Sequence, residues 1–411
     1  MRLLPSAFLL GAGLCVGASA ARANAFALND FSAKATGRGD ATIATSSDGS
    51  AIVYNVAGIA SQTGVNVYVG ASFITATGSF TNDADGKKTE TNSPPAVTPG
   101  AYVTAKVHDM VVIGLGFHTP FGSKIEWPAS SPSADEVRSQ ALRTYFLTPS
   151  IGLNLGKQVP GLQLGVGVDL VPATVELKQD IFFGDVRGNA TLGGNTFGVG
   201  GRIGVMYVPP SAPAFSFGAH YRSEVKLDFE GDGDFDVAEP HRSQLPPDGA
   251  IKTSITLPQS LGVGFAVRPS DRIEAEVNAV WMGWSSFKEL VVDLPGDSQL
   301  VSPRNYEDKV SVRLGLEYKA VPDKFDVRVG YMYDPTPIPA EYLTASLPDA
   351  NRHDLTVGAS YHMGNYNVDV GFLWVTPAEK DTASMPDLPR YKGTYGIEVF
   401  LGAVSFGGHF E

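Results

Sequence analysis

Cysteine is nearly absent, with Cys15 the only one in 411 residues. It lies in an apolar run from Leu3 to Val16 that follows Arg2 and leads to Ala21-Arg22-Ala23. A basic residue, an apolar run and an A-x-A site together predict a secretory signal covering residues 1–23. The bulky Leu14 before Cys15 argues against a lipid anchor. From Asn24 onward no thiol remains, which excludes disulfides and cysteine chemistry. Positive charge is also scarce. The formal net charge is −12, and loss of Arg2 and Arg22 makes it −14, which argues against a nucleic-acid partner. After the signal no run of 18 apolar residues occurs, so no transmembrane helix is expected. Seven histidines, at 108, 118, 220, 241, 353, 362 and 409, never form H-x-x-x-H or H-E-x-x-H. The acidic GDGDFD segment has Asp232, Asp234 and Asp236, but Val237 and Ser243 stand where a calcium loop needs Gly and Glu. No metal or cofactor is expected. An outer-membrane lipase or esterase needs a Ser–His pair; His220 and Ser223 fall on opposite faces of one strand, so no enzyme is expected.

What the chain does have is alternation. In Val310 to Tyr318, VSVRLGLEY, the residues Val310, Val312, Leu314, Leu316 and Tyr318 share one face. Ser311, Arg313, Gly315 and Glu317 share the other. The same period of two recurs in Leu162 to Leu170, Leu261 to Val267 and Phe325 to Tyr331. It fits a soluble sandwich with an apolar interior, or a transmembrane barrel with apolar side chains facing lipid.

Connection lengths separate these. Strands are predicted near 64–77, 97–107, 111–119, 142–155, 162–178, 190–208, 214–229, 250–267, 272–289, 306–319, 324–334, 353–363, 366–376 and 393–410. Short connections such as His108-Asp109-Met110 and Gly364-Asn365 alternate with long ones near 78–96, 120–141, 179–189, 230–249, 290–305, 335–352 and 377–392. Short inner turns against long outer loops, with an even strand number, predict an all-β, transmembrane antiparallel barrel of about fourteen strands in a bacterial outer membrane. Aromatic residues near strand ends, among them Tyr145, Tyr207, Tyr331 and Trp374, suit interfacial girdles.

Phe26 to Ala60 has neither a helical nor a strand period. Small and polar residues dominate it, with anchors at Phe26, Leu28, Phe31, Ile43, Ile52 and Tyr54. A plug inside the barrel and a disordered N-terminal arm both remain open on composition. The expected division is signal 1–23, plug 24–62 and barrel 63–411.

Several segments resemble the FadL family of outer-membrane hydrophobic-compound transporters. They are Phe26-Ala27-Leu28-Asn29, Gly37-Arg38, Tyr54-Asn55-Val56-Ala57-Gly58, the run Tyr221 to Phe229, Leu257-Pro258-Gln259-Ser260, Trp281 to Phe287, Gly330 to Pro337 and Leu347 to Arg352. The resemblance implies a barrel of fourteen strands closed by an N-terminal hatch. It implies passive uptake of long-chain fatty acids or, in some branches, monoaromatic hydrocarbons. The ligand would be caught near the outer loops, enter a deeper apolar pocket and leave sideways through a gap where the third strand kinks beside the hatch motif. That motif reads Asn55-Val56-Ala57 here, without the family's Pro, and the chain ends Phe410-Glu411 rather than in an aromatic residue.

Candidate residues follow. Gly114, Gly116 and Pro120 mark the third strand as the place to bend, since Gly marks bulges and Pro leaves the ladder. Arg222 is the candidate fork for a substrate carboxylate. By likeness to fatty-acid members, Lys178 and Lys309 are the basic residues nearest the expected carboxylate positions, where Thr174, Glu176 and Glu307 stand. Phe26 and Trp127 are candidate apolar contacts, and the loop from Gly122 to Leu142 a candidate wall of the outer groove, with a short helix expected after Ser133. Charges at Asp169, Glu224, Glu274, Glu276, Arg313, Glu317, Asp326, Arg328 and Asp369 are expected inside the barrel, mostly paired. The expected partners are a hydrophobic small molecule and the surrounding outer-membrane lipid and lipopolysaccharide, with the protein a monomer.

Overall fold

A computed structural model describes residues 24–296, 298–382 and 391–411; the expected signal lies outside them. Among these residues fourteen antiparallel strands close into a barrel. In order they are Val65–Asn82, Ala96–His108, Val111–His118 resuming at Gly122–Glu126, Ser139–Thr144 continuing as Phe146–Asn154, Leu162–Phe183, Val186–Tyr207, and Phe215–Arg222 with Val225–Asp236. There follow Gly249–Leu257 with Ser260–Ser270, Ile273–Met282 with Glu289–Leu294, Ser298–Pro303 with Lys309–Val321, Phe325–Asp334, Arg352–Met363, Tyr366–Asp381 and Gly393–Phe410. The first strand pairs with the last from Val65 with Phe410 to Asn82 with Gly393, so no edge is left in hydrocarbon.

The alternation is inverted, as a lipid solvent demands. Val310, Val312, Leu314, Leu316 and Tyr318 are 38–47% exposed, whereas Ser311, Arg313 and Glu317 are buried in the lumen. Two outer connections are tighter than expected. The fifth and sixth strands meet in a turn at Gly184, which adopts φ 61°, so the loop expected at 179–189 is strand. The GDGDFD segment belongs to the seventh strand, and its three aspartates alternate outward. The helix expected after Ser133 is instead a turn, in which Ser133 O accepts from Glu136 N and Val137 N, each at 3.0 Å.

Residues 24–62 lie almost wholly buried within the barrel. They form short helices at Ala33–Thr36 and Ala51–Tyr54 and a 3-10 turn at Val56–Ser61. Each is too short to stand alone, so the wall holds them. Arg38 Nη1 donates to Glu274 Oε1 at 2.8 Å, and Glu276 Oε1 accepts from Ala44 N at 2.8 Å. Arg202 forks Asp169 and donates to Ile52 O at 2.8 Å. Glycines of the wall let the backbones touch: a Cβ on Gly330 would fall 2.2 Å from Gly39 N, and one on Gly165 2.4 Å from Val56 C. Most of the expected inward charges are thus paired, several of them to the hatch rather than across the wall. Glu224 departs from the expectation and is exposed at the interruption of the seventh strand.

Candidate ligand pocket and lateral break

Pro120 has no N–H to give to a ladder, and the third strand stops at His118 and resumes at Gly122. The hatch takes over the released backbone. Leu28 N donates to Pro120 O at 2.8 Å, Gly122 N donates to Phe26 O at 2.9 Å, and Ala27 bridges Phe121. The third strand is thereby drawn off the second. Their ladder ends at Ala101 with Phe117, and Ala96 to Gly100 pair only with the first strand. Contact resumes where Asn92 N donates to Glu126 O at 2.8 Å. A seam without pairing therefore opens in the wall beside Phe26–Leu28.

This corrects two expectations. Gly114 and Gly116 lie in an unbroken ladder, paired with Thr104 and Tyr102. They are small because Ile52 of the hatch presses on them: a Cβ would lie 3.0 and 2.9 Å from it. The segment at the break is Phe26–Leu28 rather than Asn55-Val56-Ala57. Asn55 sits at the sixth strand, where its Nδ2 donates to Val205 O at 3.0 Å and Ile43 O at 2.8 Å. Its Oδ1 caps the 3-10 turn through Ala57 N at 3.2 Å, with no proline required.

Above the break is an apolar pocket. Phe26 is its floor, set edge-on to Trp284 with centroids 4.8 Å apart, to Phe287 at 5.7 Å and to Phe121 at 6.1 Å. Leu142, Val175, Leu177, Leu192, Phe229, Ile255, Leu290 and Leu347 form its wall. Its free volume is about 80 Å³, roughly half of the 150 Å³ that accepts benzene in an engineered apolar cavity. Among the described residues one charged side chain lines the pocket, Arg304, whose Nη1 donates to Thr344 Oγ1 at 3.3 Å. Arg304 also borders an outer groove with Glu136, Leu300, Val301 and Tyr342, so it stands where the two cavities meet. Burial pushes the Glu136 carboxyl up, against the pull of Arg304.

The mouth of the hatch is tied by a loop carboxylate. Asp349 Oδ2 accepts from Ala25 N at 3.3 Å and from Thr336 Oγ1 at 2.6 Å. Burial pushes its pKa up to about 7. Trp284 Nε1 donates to Asn24 Oδ1 at 2.6 Å.

The other expected site residues are dispersed. Trp127 is fully buried behind the pocket and donates to Ala345 O at 2.8 Å. Arg222 is held over the Phe121 ring at 4.7 Å, with its Nε unpartnered among the described residues. Lys178 is on the outside of the barrel, 3.1 Å from Glu176. Lys309 is bound to Glu307 at 2.6 Å. Neither lysine lines the apolar pocket. Arg304 and Asp349 were missed as site residues; Asp349 lay within the Leu347-Pro348-Asp349 motif, but Arg304 had no signal beyond its charge.

A closed barrel with a packed hatch, a mostly apolar luminal pocket and a seam in its wall defines the class of outer-membrane proteins that pass hydrophobic compounds. The family described as outer membrane protein transport protein (OMPP1/FadL/TodX) matches residues 14–410, and the chain belongs to it. It is 26% identical over 384 residues to a long-chain fatty acid transport protein of Salmonella typhi, covering 84% of this chain and 86% of that one. A 47 kDa outer membrane protein of Pasteurella multocida is 25% identical, over 89% and 90% of the two chains. Among solved structures, a Pseudomonas aeruginosa FadL homologue superposes with a TM-score of 0.83 at 16% identity, covering 94% of this chain and all of that one. The Pseudomonas putida toluene transporter TodX gives 0.76 at 17%, over 93% and 99%. At those identities the two structures speak for the fold alone. The protein is thus an outer-membrane hydrophobic-compound transporter.

Proposed function

We propose that the transported compound is a long-chain fatty acid, which diffuses inward without energy input. The observation that carries this reading is Arg304, the lone charged group among the described residues that line a mostly apolar pocket. A guanidinium there meets a carboxylate with two parallel hydrogen bonds, while the chain lies against Leu177, Leu192 and Leu290. Each methylene that leaves water gains about 0.8 kcal/mol, so a lateral path into lipid runs downhill. On this path the ligand leaves through the seam between the second and third strands after Phe26–Leu28 lets go of Pro120–Gly122. The fatty-acid transport relatives support the same substrate class.

A second reading, uptake of monoaromatic hydrocarbons, is favoured by the aromatic floor of Phe26, Trp284 and Phe287. Labelled oleate and labelled toluene, offered to cells that lack their own transporter and express this chain, separate the two. Oleate uptake that falls about tenfold in Arg304→Gln is the expected result, a change of ~1.4 kcal/mol. Toluene uptake alone, indifferent to that substitution, would assign the aromatic substrate.

A further inference from the structure

The outer edge of the lipid-facing belt is sharp on the third to sixth strands. Phe117, Tyr145, Pro172 and Phe197 form its last apolar row: Phe117 and Tyr145 stack with centroids 6.0 Å apart, Tyr145 N donates to Pro172 O at 3.0 Å, and Pro172 pairs with Phe197. The next outward positions along the same strands are Gly122, Arg143, Thr174 and Asn195, tied by the register of Gly122 with Arg143, Arg143 with Thr174, and Thr174 with Asn195; Lys124 stands two residues further along, level with Ala141. Aromatic side chains at this level mark the boundary between hydrocarbon and headgroups. The first cations beyond it, Arg143 and then Lys124, are therefore on the headgroup side of that row.

Lys124 and Arg143 are diagonal neighbours on adjacent strands and border one groove on the outer wall. Among the described residues neither side chain has a hydrogen bond or ion pair, whereas the neighbouring cations of this groove do. Lys178 is bound to Glu176, and Arg187 to Asp180 at 3.3 Å. Arg138 reaches Asp180 only at 3.7 Å and keeps a buried Nη1 without a partner in the same groove. Of the carboxylates in this groove, Glu176 and Asp180 are already paired and Glu126 is the third, so the two unpaired cations Lys124 and Arg143 offer donors to a phosphorylated lipid headgroup.

We propose that this groove binds the phosphorylated headgroup of an acyl glycolipid of the outer leaflet, with Lys124 and Arg143 on the phosphate and the acyl chains along Phe117, Tyr145 and Phe197. The site lies on the outside of the wall, apart from the transport pocket and directly beside the seam of the third strand. It gives the gap a lipid neighbour of fixed position.

The test uses the full-length purified barrel in detergent and a bis-phosphorylated hexa-acyl diglucosamine lipid, read by native mass spectrometry. The wild-type barrel is expected to retain one lipid, and Lys124→Gln/Arg143→Gln to bind it at least tenfold more weakly. Lys226→Gln/Lys252→Gln, which removes cations paired to Asp228 and Glu230 on another face, is expected to leave binding unchanged. The dephosphorylated lipid is expected to bind as weakly to the wild type as the phosphorylated one does to the double variant. Equal retention by all three proteins, or by both lipids, would overturn the proposal. So would displacement of the lipid by millimolar inorganic phosphate, which would make the site one for a free anion. Heat-modifiable migration of each variant shows that the barrel has assembled, so weak binding is not misfolding.

Discussion

Asp349 shows how one side chain can set the state of a segment. Its carboxyl is held near pKa 7 by burial and fastens Ala25 beside the pocket floor. A folded-state pKa above the unfolded value means that stability is fully present below about pH 4 and is lost as pH rises through about 7. The wild-type barrel in detergent should therefore lose thermal stability between pH 5 and pH 9, and Asp349→Asn should lose less over that range. Parallel curves for the two proteins would show that this carboxyl is not the titrating group. Arg304 makes the complementary case, since its expected role is visible only in which substrate loses uptake. Neither residue stood out in the sequence as a member of the site. A polar side chain in an outer loop has no period, and the hatch residue that Asp349 holds, Ala25, is hundreds of residues away.

At the scale of elements, the strands were legible because lipid imposes one rule along every one of them. Val310 to Tyr318 reads the same in sequence and in space, and all fourteen expected strands have a counterpart. The interruptions were not legible. Pro120 does mark the break, yet Gly114 and Gly116, which looked like bends, are the space into which Ile52 packs. A glycine in a strand signals either a bend or a close approach, and only the position of the hatch tells which. Gly116→Val should therefore act by displacing the hatch, at a cost of about 1–3 kcal/mol for overpacking. Thermal denaturation should show the loss, and Ile52→Ala in the same chain should recover much of it. If the second substitution recovers nothing, the glycine serves the strand and not the hatch.

The whole molecule joins a rigid wall to a hatch that is locally weak and globally pinned. Arg38 on Glu274, Asn55 on Val205 O and Arg202 on Ile52 O anchor its body to the ninth and sixth strands. The backbone of Phe26–Leu28, by contrast, is attached to the broken third strand by two hydrogen bonds, which together make the bridge of Ala27 with Phe121. That contrast is why passage is assigned to a local release and not to expulsion of the hatch. Deleting residues 26–57 should accordingly turn a nearly closed barrel into an ion-conducting one in planar bilayers, and unchanged conductance would mean that the hatch does not seal it.

The most direct test locks that release. Ala27 and Phe121 face each other between the two hydrogen bonds, a placement suited to a cross-strand disulfide, and no cysteine follows Cys15 in the sequence. Cells expressing Ala27→Cys/Phe121→Cys would be assayed for labelled oleate uptake before and after reduction, with the crosslink followed by gel migration. Uptake blocked in the oxidised barrel and restored by reductant is the predicted result. Equal uptake in both states, with the crosslink formed, would contradict a path past Phe26–Leu28 and through the seam.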